Sequence, residues 1–279
     1  MNIICVVTNN LLRLKVLIHN LPHLTDCKII LATDPRLGDK RDEMKALCPN
    51  VEIISAVDIL NEYYDRFLSS QNIYNYALGY KMILPWYIHN HYDVDKFIMT
   101  DDDLIITEKI KDLFDNINNP SAVSTSILGI SDKQGRIDNA LRKLAFKVNN
   151  ISYDEQVSYV NGGHVLFTKD VNFENYIHRV NNFMNSDVIT EALSNQRTWL
   201  DYCIDEVFFS CLYKHYAKQF DNLYALNKYI NCHILAFRNG SLEDIFNVID
   251  KYAISHFAGL SDDIVYPQLI KKGYLKGDE

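Results

Sequence analysis

No two cysteines in this chain are spaced C-x-x-C, and no apolar run approaches the ~20 residues that a membrane-crossing helix needs. The first absence removes a zinc knuckle or a disulfide framework. The six cysteines, Cys5, Cys27, Cys48, Cys203, Cys211 and Cys232, read instead as reduced residues of a cytosolic protein. The second removes a helical membrane anchor. The opening residues MNIICVVTNN have too short an apolar stretch and no basic flank for a signal peptide. Excess positive charge is missing too. With 28 basic and 36 acidic residues the net charge is −8, which opposes broad binding to phosphate backbones. There is no internal repeat, no low-complexity segment and no linker-like stretch, so 279 residues are expected to form one domain.

What is present is the rhythm of an α/β protein. Ile3 to Val7 is a β-branched apolar run that ends in the polar turn Thr8-Asn9-Asn10. Leu11 to Leu21 has helical spacing and stops at Pro22. Lys28 to Ala32 and Val51 to Ile54 read as further strands. Strand, helix, strand in this order implies a doubly wound sheet. Asn72 to Asn90 is helix-compatible, with Pro85 marking a kink or boundary. Lys96 to Thr100 is a strand, and Lys109 to Asn116 reads as a helix. Strands are also expected near Ala122 to Ile127, at Val157 to Thr168 and at Tyr252 to Phe257, and a helix at Trp199 to Tyr216. The charged tail from Lys271 is expected to fray.

Lys96 to Thr100 runs straight into Asp101-Asp102-Asp103. Three adjacent carboxylates repel one another, and burial resists their ionisation. A divalent cation relieves both. Mg²⁺ and Mn²⁺ take oxygen ligands, commonly one or two carboxylates plus substrate phosphates. In open α/β sheets such ligands sit at the carboxyl ends of strands. In extended backbone Asp101 and Asp103 share a face, and Asp102 points elsewhere. On this reasoning, deleting one carboxylate relieves repulsion. A solvated acidic turn has the same sequence, and nucleases and phosphatases also place carboxylates after strands. Two further segments stand out. Asn161-Gly162-Gly163-His164 puts two glycines inside a strand, which calls for a close approach to the backbone or a bulge. Ile254-Ser255-His256-Phe257-Ala258-Gly259 ends a strand in a histidine able to offer a neutral imidazole. His164 reads as a packed histidine.

Taken together, these segments resemble the retaining glycosyltransferases of family 8, the glycogenin and lipopolysaccharide galactosyltransferase type. The family's basic residue, then L-P, then strand, then D-x-D appears as Lys81-Met82-Ile83-Leu84-Pro85 followed by Asp95 to Asp103. Its F-N-S-G element is similar to Val160-Asn161-Gly162-Gly163, and its D-Q-D element to Asp205-Glu206-Val207. Its K-Y-N element is similar to Lys228-Tyr229-Ile230-Asn231 with one insertion, and its H-F-x-G to His256-Phe257-Ala258-Gly259.

The resemblance implies the GT-A fold, a Rossmann-like doubly wound mixed sheet with a nucleotide-sugar and metal site at the strand C-termini. It implies Mn²⁺ or Mg²⁺ on Asp101, Asp103 and His256, Asp102 at the nucleotide ribose, Thr8 and Asn9 near the base, and Lys81 toward the donor phosphates or sugar. Asn161, Gly162, Gly163 and Gly259 would line the donor. Asp205 and Glu206 would be the catalytic pair, Asp205 on sugar hydroxyls and Glu206 near the anomeric carbon. The implied activity is hexosyl or pentosyl transfer, with retention, from a UDP-sugar to a glycan, a lipid-linked sugar or a modified DNA base. The resemblance departs at Asp262, where the family has a lysine that meets the diphosphate, and no Pro-Trp follows. An acid there calls for compensation by another group.

Two other readings use the same residues. One is a transferase acting on hydroxymethylated bases in DNA, as in phage; the Asn-, Lys-, Ile- and Tyr-rich composition suits an AT-rich phage or bacterial genome. The cluster Arg136, Arg142, Lys143 and Lys147 is the sizeable basic group, although a solvated helix face has the same pattern. The other is a metal-dependent phosphoesterase, or a donor-binding relative without activity. A phosphoesterase does not explain the L-P context or the H-F-x-G.

Overall fold

The computed structural model describes residues 1–8, 10–20, 27–33, 41–47, 51–67, 72, 79–118, 120–125, 139–150, 152, 160–194, 204–217, 225–232, 242–257 and 260–275. Strand β1 (Asn2–Thr8) is the centre of the sheet, and its alternation sets the two layers around it. Ile3, Cys5 and Val7 face one core, and Ile4 and Val6 face the other. A strand buried on both sides reads as a continuous apolar run, which is why this segment was legible. Cys5 is fully buried, and burial pushes its thiol pKa up, so it behaves as a small apolar residue.

Strands β2 (Cys27–Thr33), β3 (Glu52–Ser55) and β4 (Lys96–Thr100) join β1 in parallel. Strands β6 (Ser121–Thr125) and β7 (Val160–Thr168) complete the sheet in the order β3-β2-β1-β4-β7-β6. Strand β7 runs antiparallel to both β4 and β6. That reversal positions the site, because it brings the start of β7 beside the end of β4. A second sheet, in the order β5-β9-β8, joins β5 (Leu104–Ile106), β8 (Ile230–Cys232) and β9 (Ile254–His256).

Helix α1 (Leu11–Asn20) packs Leu14 and Leu17 into the second core with β5. Helix α2 (Arg41–Leu47) precedes β3, and α3 (Ala56–Phe67) follows it. Helix α4 (Gly79–His91) is buried almost all round, and it continues through Pro85 rather than ending there. The proline has no N–H for the carbonyl of Lys81, one turn back. Helices α5 (Ile110–Asn116), α6 (Asn139–Val148), α7 (Phe173–Met184) and α8 (Asp187–Ser194) follow in order. Helix α9 (Ile204–Ala217) packs against α4, β7 and α6. Trp86, Tyr176, Phe183 and Phe208 fill the first core between these helices and the sheet. Tyr176 Oη donates to the Met82 carbonyl at 2.6 Å and ties α7 to α4.

The C-terminal elements are α10 (Leu242–Asn247) and α11 (Asp262–Lys271). The segment from Lys271 does not fray through residue 275. Tyr274 N–H donates to the Leu269 carbonyl at 2.8 Å. Its hydroxyl donates to Asp250 at 2.6 Å, and its carbonyl accepts from Asn20 at 3.0 Å. The aromatic anchor outweighs the charge that suggested fraying. Lys143 and Lys147 of the basic cluster are exposed on α6, whereas Arg136 and the side chain of Arg142 lie outside the described residues. No helix among the described residues is long and apolar enough to cross a membrane.

Candidate metal and donor site

Four elements deliver side chains to the carboxyl end of the parallel strands. Strand β1 ends in Thr8, β4 hands over to Asp101, β7 begins with Asn161 to Gly163, and β9 ends in His256. The Asp101 N–H donates to the Gly163 carbonyl at 2.8 Å, continuing the β4–β7 ladder into the acidic run. The Phe257 N–H donates to the Asp103 carbonyl at 2.8 Å and draws β9 to the other end of that run.

Asp101, Asp103 and His256 come together as the alternation of extended backbone requires. One ligand atom from each lies within 4.8 Å of the others. Two carboxylate oxygens and an imidazole nitrogen suit Mn²⁺ or Mg²⁺, with positions left for substrate oxygens. His256 is 2% exposed and its Nε2 lies 2.9 Å from Asp103 Oδ1. Burial alone would raise the Asp103 pKa, but the charge and hydrogen bond of His256, with the charge of Arg13, hold it down to about 2.

The three aspartates do not simply repel, because each has a side-chain partner. Asp101 Oδ1 accepts from Lys81 Nζ at 2.7 Å. Asp102 turns the other way, toward β1; its Oδ2 accepts from Thr8 Oγ1 at 2.9 Å and its Oδ1 from Arg13 Nη1 at 3.4 Å. Asp103 pairs with His256 and lies 3.7 Å from Arg13 Nη1. Lys81 is 3% exposed and also sits 3.3 Å from Asp205 Oδ2. Burial would strip its proton, but Asp101 and Asp205 outweigh that and keep it charged.

The two strand glycines now have physical causes. A Cβ on Gly163 would stand 2.3 Å from His256 Cε1 and 2.9 Å from Asp101 Oδ2. A Cβ on Gly162 would stand 2.7 Å from Glu206 Cγ and 3.0 Å from Asp205 Oδ2. Asp205 and Glu206 lie in the first turn of α9. Glu206 Oε1 accepts from the Gly162 N–H at 3.0 Å, and Asn161 Oδ1 accepts from the Gly163 N–H at 2.7 Å. The close approach inferred from the glycines is therefore made by the candidate metal and catalytic side chains themselves.

His164 is fully buried, its ring edge-on to His256 at 5.2 Å between centroids. Burial and the neighbouring charges of His256 and Lys81 hold its pKa well below the ordinary value, so it packs as a neutral ring. Asn9 and Gly259 lie outside the described residues.

Arg13 is the residue that sequence reasoning missed. Its Nε donates to Asp262 Oδ1 at 3.0 Å, and Asn10 Nδ2 reaches Asp262 Oδ2 at 3.2 Å. Nothing local in Leu-Leu-Arg-Leu-Lys announces this. The one signal was the acid at Asp262, which called for a cation elsewhere in the chain.

No family model matches the chain, and no curated protein matches it in sequence. Solved structures do match in three dimensions. The galactosyltransferase LgtC, in complex with donor and acceptor sugar analogues, is 13% identical with a TM-score of 0.54; the match covers 100% of this chain and 98% of that one. An active-site mutant of LgtC in which glutamate replaces glutamine is 12% identical, with a TM-score of 0.52. The bifunctional glycosyltransferase WbbM, in its apo form, is 13% identical with a TM-score of 0.52; the match covers 92% of this chain but 46% of that one. At such identities the likeness speaks for the fold, and the chain has the GT-A fold of these glycosyltransferases.

Proposed function

We propose that this protein is a metal-dependent glycosyltransferase that moves a hexose or pentose from a nucleotide sugar, a UDP-sugar in the simplest case, to an acceptor with retention. In this reading residues 1–279 form a single catalytic domain working in the cytosol. The observation that carries the proposal is the convergence of Asp101, Asp103 and His256 within 4.8 Å, beside Asp205 and Glu206, in a GT-A fold.

Asp101, Asp103 and His256 would hold Mn²⁺ or Mg²⁺. When bound, the ion supplies Lewis-acid neutralisation of the nucleoside diphosphate leaving group. The chain's own residues do the rest. Lys81 stays protonated and fixes Asp101 and Asp205 relative to each other. Asp102, held by Thr8, would face the ribose, and Thr8 and Asn9 would serve the base. Asn161, Gly162, Gly163 and Gly259 would serve the donor sugar. Asp205 holds sugar hydroxyls. Glu206 stands near the anomeric carbon with its carboxylate oriented by the Gly162 N–H, so it meets positive charge developing there with an acceptor-only group.

The test is turnover of a panel of nucleotide sugars, read as release of nucleoside diphosphate with Mn²⁺ and with a chelator. The proposal expects release that needs the metal and is lost in His256→Ala. Folded protein that releases nothing from any nucleotide sugar, or releases equally with chelator, would sink it.

A further inference from the structure

We propose that Arg13 is a phosphate-binding residue of this site, and that Asp262 is the residue that positions it. The proposal rests on the nucleotide-sugar reading above and assigns the donor's diphosphate a second protein contact.

The geometry of the guanidinium carries the argument. Arg13 lies in the first turn of α1, where Asn10 Oδ1 accepts from the Leu12 and Arg13 N–H groups at 2.9 and 3.4 Å. Its side chain is 26% exposed. Asp262, in the first turn of α11, fixes Nε at 3.0 Å. Nη1 turns to the acidic run, 3.4 Å from Asp102 and 3.7 Å from Asp103. Among the described residues Nη2 has no partner, so one edge of a held, always charged group remains open. Arg13 lines a small cleft together with Asp102, Asp103, Asp262 and Tyr266, over an apolar floor that includes Phe257 and Leu269. Tyr266, which lines the same cleft, has a buried hydroxyl with no hydrogen-bond partner among the described residues. A planar guanidinium with free N–H groups, beside a buried hydroxyl and against a candidate metal site, suits a phosphate oxygen.

The same geometry explains Asp262. Next to an anion, a lone acid would repel. Here its charge is spent on Arg13 and Asn10, so it fastens α11 to α1 and aims the guanidinium. One guanidinium among three carboxylates still leaves this group net negative. The cleft therefore repels an anion until a divalent ion is bound, and the metal must come first.

The experiment is isothermal titration of the full chain with inorganic pyrophosphate, with and without Mn²⁺, alongside Mn²⁺ titrated alone. Wild type should bind pyrophosphate only with Mn²⁺. Arg13→Gln should weaken pyrophosphate roughly tenfold or more, the size expected for a charged hydrogen bond. Its Mn²⁺ affinity should be unchanged or tighter, since a competing cation has left Asp103. Arg13→Lys should recover part of the loss. Asp262→Asn should weaken pyrophosphate less, and add nothing in the Arg13→Gln background, which a merely structural tether would not do. Unaltered pyrophosphate affinity in Arg13→Gln would overturn the inference. So would parallel loss of Mn²⁺ and pyrophosphate, which would make Arg13 a prop for the aspartates. Failure of Mn²⁺-loaded wild type to bind pyrophosphate would instead overturn the metal–diphosphate reading on which it rests.

Discussion

At the residue scale the site is a set of carboxylates, each answered by a cation or a backbone N–H. Relief of repulsion is therefore the wrong expectation for losing one of them. Asp103→Ala removes the 2.9 Å contact to His256 Nε2 and the 3.7 Å approach of Arg13 Nη1, while Arg13 keeps Asp102 and Asp262. The substitution should lower the melting temperature by a few degrees, the scale of about 1 kcal/mol, and abolish Mn²⁺ binding. A more stable variant in calorimetry would restore the repulsion picture. The glycines allow a sharper comparison. Gly163→Ala drives a methyl into the His256 ring and Asp101, both candidate ligands. Gly162→Ala meets Glu206, whose longer side chain can swing away. The first change should weaken Mn²⁺ binding by more than about tenfold, and the second should spare Mn²⁺ while reducing turnover. Electron paramagnetic resonance of Mn²⁺ separates the two, and equal Mn²⁺ affinities would contradict this account of the glycines.

At the element scale, what matters is how β4 and β7 are locked together. Asp95, just before β4, takes Lys169 Nζ at 2.7 Å just after β7, and its backbone carbonyl takes the Lys169 N–H at 3.0 Å. The hydrogen bond from Lys169, the hydrogen bond and charge of the N-terminal ammonium at 2.6 Å, and the Lys169 charge depress the Asp95 pKa to about 2. A depressed carboxylate stabilises the fold above its unfolded pKa, and that contribution fades as pH falls toward the folded value. Wild type should therefore exceed Asp95→Asn in stability near neutral pH, with the gap closing between about pH 4 and pH 2. Because the pair is exposed, the gap should be small and should shrink in high salt. Acid denaturation at two ionic strengths checks this, and a gap that widens on acidification would reverse the sign.

At the scale of the whole molecule, the sequence was legible where burial is two-sided or the pattern local. The β1 run, the β4 strand and its acidic end were visible because apolar residues stop abruptly at charge. The pairing of Asp101 with Asp103 followed from strand alternation, and their meeting with His256 came through the resemblance. The antiparallel insertion of β7 between β4 and β6 left no such mark, since a strand's residues do not encode its direction. Nor did the separate β5-β9-β8 sheet, whose strands have three residues each and lie far apart in the chain. Arg13 was hidden for the same reason: its partner Asp262 is 249 residues away, and a basic residue on an amphipathic helix looks like a solvated one.

The central claim is that a divalent ion on Asp101, Asp103 and His256 makes a nucleotide-diphosphate site. Thermal unfolding of the full chain with nucleoside diphosphates and nucleotide sugars, each with and without Mn²⁺, tests it most directly. A ligand that binds only the folded state raises the melting temperature by mass action. The account predicts a rise that appears only when Mn²⁺ and the matching nucleotide are both present, and that is absent from Asp103→Ala. A rise that is the same without metal, or no rise with any nucleotide in well-folded protein, would contradict it.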